Sequence, residues 1–357
     1  ADNRLVRVER SEGTTTFRYE HSRLIEVAGP GSSETFAYDR DGQLTRHLRI
    51  LGGHRFLTET TYDALGRVKE RRLPSGERLH YAYDARGGLV SISRGFLKHA
   101  LLGDARSGNS VVLDAMAHVS YGNGLRMWNV FDERTGRLLR RTTPGVASLS
   151  YEYDDAGRVT RIHDGPAHRS FDYDAAGRLT LAHTPRGSFR YDYDTNGNRT
   201  AASVRTYSGS GRPGGRRLPA SQQLFHIARS DRLEAAAPDS TYRYDPAGNP
   251  LQVGQLRYEY NSEGRPTHLY IDDRLVASYA YDARGERIRK TVFDRNGSRT
   301  SFYLYDQHRL VAEADERGIV TRDYIYSGHH PVAMVDRGRA YWIHSDHLGP
   351  PYAVTDE

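Results

Sequence analysis

Residues 151–200 read YEYDDAGRVTRIHDGPAHRS, FDYDAAGRLTLAHTPRGSFR and YDYDTNGNRT. Tyr153, Tyr173 and Tyr193 therefore recur every 20 residues, each followed at once by Asp154, Asp174 or Asp194 and three residues later by Gly157, Gly177 or Gly197. An aromatic-x-Tyr pair has the period of an extended chain, so both rings project from one face of a strand. The strand must then turn: Asp caps the backbone N–H groups of a type I turn, and Gly supplies the left-handed conformation that closes a short hairpin with a bulge. A second alternating run follows, Val159-Thr160-Arg161 or Leu179-Thr180-Leu181, and it ends in Asp164-Gly165-Pro166 or Pro185-Arg186-Gly187. Each repeat is one hairpin, and chained hairpins make a long antiparallel sheet.

The same reading extends outward in both directions. It finds Tyr38-Asp39 with Gly42, Tyr62-Asp63 with Gly66 and Tyr83-Asp84 with Gly87 upstream. Downstream come Tyr244-Asp245 with Gly248, Tyr260-Asn261 with Gly264 and Tyr281-Asp282 with Gly285. Weaker copies sit at Tyr19, Phe131, Phe293, Tyr305 and Tyr326. Tyr at one place in successive hairpins predicts aromatic columns along the sheet, each cross-strand pair contributing roughly 0.2–1 kcal/mol. The repeated Tyr, Asp and Gly are thus read as structural.

Composition fits a thin sheet better than a thick core. The chain has 357 residues, 37% hydrophobic with Tyr included, and a mean hydropathy of -0.73; two- and three-layer domains need continuous apolar faces. Among 51 basic residues only Lys69, Lys98 and Lys290 are lysine. Because the arginines are dispersed and nearly matched by 45 acids, genome base composition or cross-strand Arg–Asp/Glu and Arg–Tyr pairing explains them better than a nucleic-acid surface, and no nucleic-acid partner is expected. There is no Cys, which excludes disulfides and thiolate metal sites. No apolar run is long enough to span a membrane as a helix. Two stretches break the period: 95–123, which still reads as strand and tight turn, and 206–223, read as a flexible insertion loop.

These motifs identify the chain as similar to the Rhs, or YD-repeat, family of bacterial polymorphic toxins, toxin-complex C subunits and teneurins. His344-Ser345-Asp346-His347-Leu348-Gly349 followed by Pro351 resembles a segment near the end of the bacterial toxin cores, and Tyr121-Gly122-Asn123-Gly124 is also frequent there. The resemblance implies an all-β fold: hairpins wound as a spiral into a hollow shell that encloses a C-terminal toxin domain. It implies one segment over 1–357, with the terminal signature at 341–357, and partners in the remaining core, the toxin domain and a delivery-system component. Localisation would be secreted, through a specialised route. The family's self-cleavage segment is expected beyond Glu357; Asp245-Pro246-Ala247-Gly248 resembles it superficially but lies on a repeat turn. A single sheet of 357 residues covers roughly 6,000 Å² at about 3.3 by 4.8 Å per residue, so a partial shell is expected.

Chemistry-bearing motifs are scarce. The sequence has no phosphate-binding glycine loop, no Gly-x-Ser-x-Gly and no His-Glu-x-x-His. Of 16 histidines the densest group is His329, His330, His344 and His347; these are read as turn-bonding residues, and neither a metal nor another cofactor is expected. The chain is therefore read as a non-enzymatic encapsulation segment. The alternative is an extracellular module that binds a glycan or protein through exposed Tyr and Arg.

Overall fold

A computed structural model describes residues 4–97, 99–103, 118–206, 221–227, 233–236 and 240–357. Most of the expected insertion loop, 207–220, lies outside them. Thirty-three strands and no helix occur among the described residues, as the two-residue periodicity predicts. The chain falls into two compact units, Ala1–Arg126 with Glu259–Glu357, and Met127–Tyr258.

In the smaller unit the seven strands from Leu138–Thr143 to Arg199–Thr206 pair antiparallel in chain order. One face carries the buried Leu149, Tyr151, Ile162, Ala182 and Ala202, while Glu152, Arg161 and His183 are exposed on the other. At each YD hairpin the register slips one residue before the second tyrosine: Glu152 pairs with Arg161 but Tyr153 with Val159, and Asp172 with Leu181 but Tyr173 with Leu179. This is the bulge expected from an Asp-x-x-Gly turn that must close a twisted antiparallel pair.

The larger unit is built from two layers. Ten strands in meander order, from Arg7–Arg10 to His99–Leu102, form one. Nine strands from Pro266–Ile271 to Pro351–Thr355 form the other. Leu51 and Phe56 of the first layer meet Ile288, Phe302, Leu304, Ala312 and Ala314 of the second in a small apolar cluster. Gly52 sits so close to Phe302 that an added Cβ would lie 2.8 Å from its ring. The apolar contact is local, and polar side chains make much of the remaining junction.

Candidate functional site

The repeat residues form one recurring device. Asp154 N–H donates to Arg158 O at 3.0 Å, Gly157 N–H returns to Asp154 O at 2.9 Å, and Asp154 Oδ1 accepts from Arg158 N–H at 2.9 Å. The same pair of backbone bonds recurs at Asp39, Asp63, Asp84, Asp174, Asp194, Asp245, Asn261 and Asp282, closed in turn by Gly42, Gly66, Gly87, Gly177, Gly197, Gly248, Gly264 and Gly285. The backbone N–H of Arg158 leads the groups that hold Asp154 below the usual carboxylate range, and that of Arg178 does so for Asp174.

The second tyrosine of each repeat knits hairpin to hairpin. Tyr153 Oη donates to Leu138 O at 2.8 Å, Tyr173 to Val159 O at 2.9 Å and Tyr193 to Leu179 O at 2.8 Å. Tyr38, Tyr62, Tyr83, Tyr244 and Tyr281 do the same toward Leu24, Leu44, Val68, Leu233 and Pro266. The rings, however, stack on guanidinium groups rather than forming the expected aromatic columns. Arg137 lies 5.6 Å over Tyr153, Arg158 4.8 Å over Tyr173 and Arg178 4.8 Å over Tyr193. The reason is spacing: a strand intervenes between successive YD strands, so their rings are about 10 Å apart, and the Arg after the preceding Gly fills the gap. Arg158 illustrates the full reach, with Nε on Asp154 Oδ2 at 2.6 Å and Nη1 donating to Asp174 O at 3.2 Å. Arg suits this place better than Lys, since the N–H donors of one planar guanidinium serve two neighbours while its face covers a ring.

A second site joins the two layers of the larger unit, early residues broadly meeting early and late residues late. Arg10 pairs with Glu263 at 2.6 Å, and Glu12 accepts from Ser262 N–H and Oγ at 2.6 and 3.0 Å. Glu34, 7% exposed, takes Arg284 at 3.3 Å, with His47 at 2.6 Å and Arg49 at 3.7 Å. Arg49 also donates to Tyr305 O, Arg71 meets Asp306 at 3.2 Å, and His54 Nε2 donates to Glu316 O at 3.1 Å. Farther along, Arg94 reaches Gly338 O at 3.1 Å, Trp342 Nε1 donates to Leu101 O at 2.7 Å, and Asn123 donates to Thr355 Oγ1 at 3.0 Å and Asp356 O at 3.1 Å. Burial alone would raise Glu34, but the hydrogen bond from His47 and the charges of Arg284 and Arg49 outweigh it and hold the carboxyl at about 2. Burial lowers His47, so it serves as a neutral donor.

The terminal motif belongs to this seam. Asp346 and Gly349 make one more Asp-x-x-Gly turn, with Asp346 N–H on Pro350 O at 3.0 Å and Leu348 N–H on Asp346 Oδ1 at 2.9 Å. His347 lies half-buried in that turn and Leu348 is exposed. His344 is fully buried, its Nε2 3.0 Å from Thr355 Oγ1 and its ring 4.6 Å from that of Tyr121; burial lowers it to about 4. Tyr121-Gly122-Asn123-Gly124 forms the same kind of turn, with Tyr121 in the place of Asp. Sequence reasoning thus selected both members of this contact separately. It missed Glu34, His47, Arg49, Arg284, Asp306 and Asp323; the available signal was that the tips Ser262-Glu263 and Ala283-Arg284 replace the small residues of Ala175-Ala176 with charged and bonding side chains.

A cavity of about 400 Å³ opens in the same unit over Leu51, Ile288 and Phe302, with Asp282 and the paired Arg10 and Glu263 on its wall. Among the described residues no group of three His, Cys, Asp or Glu side chains is arranged to hold a metal ion.

The family model described as Teneurin YD-shell matches residues 119–210 and 222–357, and that described as RHS Repeat matches 62–95. The chain belongs to the YD-shell family. Over 122 residues it is 31% identical to the tRNA3(Ser)-specific nuclease WapA of Bacillus spizizenii, covering 33% of this chain and 5% of that protein. Over 153 residues it is 28% identical to the double-stranded DNA deaminase toxin A of Burkholderia cenocepacia, covering 33% and 11%. Curated relatives of this YD-shell chain are thus far longer than the part it matches. The YD-shell fold also matches the TcdB2-TccC3-Cdc42 crystal structure, with a TM-score of 0.69 at 15% identity over 98% of this chain and 23% of that one. The Tc holotoxin pore of Photorhabdus luminescens gives a TM-score of 0.69 at 15% identity, covering 98% and 22%.

Proposed function

We propose that residues 1–357 are one wall segment of a YD shell that sequesters a C-terminal toxin domain of the same polypeptide until a delivery system carries it out of the producing bacterium. The observation that carries this reading is the seam between the early and late strands of the larger unit. Residues 10 to 123 meet residues 262 to 356 at separations that stay between 232 and 262 residues, as a hairpin strip does when it laps over its own beginning. Shell membership over most of the chain and kinship with a nuclease and a deaminase toxin supply the context. The described tyrosines support a wall over a stacking platform for glycans, since none is exposed; their hydroxyls and faces serve neighbouring hairpins instead.

The test is limited proteolysis of the complete natural polypeptide that contains this chain. A segment downstream of Glu357 is expected to resist digestion while the wall is intact and to be cut rapidly when expressed alone. Equal digestion in both states, or a reading frame with nothing beyond Glu357, overturns the reading.

A further inference from the structure

We propose that the seam between the two layers of the larger unit is a proton-sensitive latch operated by Asp323: the layers hold each other more tightly when this carboxyl is protonated than when it is ionised. Asp323 lies in the strand Val320–Ser327, 2% exposed, and its Oδ1 is buried without a hydrogen-bond partner. It shares a face with Ile325, and its cross-strand neighbours Ala312 and Val335 carry no charge. From the opposite layer Ser75 hydrogen-bonds the carboxyl and Arg94 acts on it by charge, both favouring the ionised form, while the charge of Glu77 opposes it. Arg94 is already engaged, bonding Glu77 at 2.7 Å and Gly338 O at 3.1 Å.

Charge counting separates this point from the rest of the seam. Glu263 has Arg10, Asp306 has Arg71, and Glu34 has Arg49 and Arg284. At Asp323 one guanidinium faces two carboxylates whenever Asp323 is ionised. A buried charge with one hydroxyl partner and no cation of its own is costly, and a group in this position favours its neutral form. Burial, with Glu77 adding to it, pushes Asp323 up to about 6. The sign follows: a carboxyl raised in the folded state is neutral there below about pH 6, so its penalty is absent in mild acid and returns as pH rises through 6. For a wall segment, a consequence that rests on the proposed function, the Asp323 contribution favours the closed seam in mild acid and is lost toward neutrality, opposite in sign to the contribution of His344.

Trp342 reads the seam directly, because its indole N–H bonds Leu101 O across the layers, and Trp128→Phe leaves it the sole indole in the chain. Urea titrations of this single-Trp chain at pH 5.0 and 7.5, with and without Asp323→Asn, give opening constants by fluorescence. The ratio of the parent constant to that of Asp323→Asn is expected to be roughly tenfold lower at pH 5.0 than at 7.5. Other titrating groups, His344 included, are common to both chains and cancel. A ratio unchanged within about twofold overturns the latch, and Asp323→Leu serves the same comparison should Asp323→Asn not fold. Failure here leaves the protease-protection result untouched, and failure there leaves this ratio untouched.

Discussion

At the residue scale the repeat couples a backbone requirement to a neighbour's side chain. Gly157 has φ +85, and a Cβ there would lie 2.9 Å from Nη2 of Arg137, whose guanidinium covers Tyr153 and whose Nη1 donates to Asp154 O at 3.2 Å. Gly157→Ala should cost about 1–2 kcal/mol, from the left-handed backbone and from displacement of Arg137. In an Arg137→Ala background the second contribution disappears, so a double-mutant cycle should return a coupling of roughly 0.5 kcal/mol or more; additive urea midpoints would exclude the coupling. His344 gives the corresponding prediction for pH. A histidine lowered to about 4 stays neutral in the fold, whereas the unfolded chain binds a proton below about 6.5. Stability is therefore lost as pH falls through this window, by about 2 kcal/mol at pH 5. Comparing unfolding free energies at pH 7 and 5, His344→Gln should lose less than the parent by about that amount, and parallel losses would count against the assignment.

At the element scale the turns divide into two chemistries. Asp-x-x-Gly turns place glycine where φ is positive, but the turns at His21-Ser22, Asp272-Asp273 and Gln307-His308 put two non-glycine residues there, at φ 45 and 72, 48 and 58, and 48 and 64. These are two-residue hairpin tips, for which Asn-Gly is the favoured pair. Replacing Asp272 with Asn and Asp273 with Gly should raise stability by about 0.5–1 kcal/mol, read as a higher urea midpoint at unchanged slope; a lower midpoint would show the present pair to be favoured. The YD hairpins were legible because aromatic alternation, Asp and Gly act within one turn. Their Arg–Tyr contacts were legible in kind, from the arginine excess, but not in partner: which Tyr each Arg covers is set by ladder geometry, Arg158 just before one strand meeting Tyr173 at the end of the next. Of the terminal histidines read as turn residues, His347 does lie in a turn, whereas His344 lies in the strand Arg339–Ser345, and its burial depends on Tyr121 and Thr355 arriving from elsewhere in the chain.

At the scale of the whole molecule, contacts separated by 232 to 262 residues hold the two layers of the larger unit together, and no local pattern announces them. Glu34 is the informative case: in sequence it is an acid in an alternating strand, indistinguishable from its exposed counterparts. In the fold it is buried against His47, Arg49 and Arg284. Removing one member of such a cluster leaves the others desolvated and unpaired, so Glu34→Ala should destabilise by about 3–5 kcal/mol. Replacing the pair by apolar residues of similar volume, Glu34→Leu with Arg49→Met, should recover most of that loss, because Arg284 is 42% exposed and returns to water. What the double variant should lose is the pairing that places the Arg284 turn on Glu34. Urea unfolding followed by Trp342 fluorescence measures the stabilities, and hydrogen exchange in the strands Ser32–Tyr38 and Leu44–Leu51 measures how uniquely the turn docks. A cost below about 1 kcal/mol for Glu34→Ala would mean that the small apolar cluster around Phe302, rather than the ionic seam, holds the layers together.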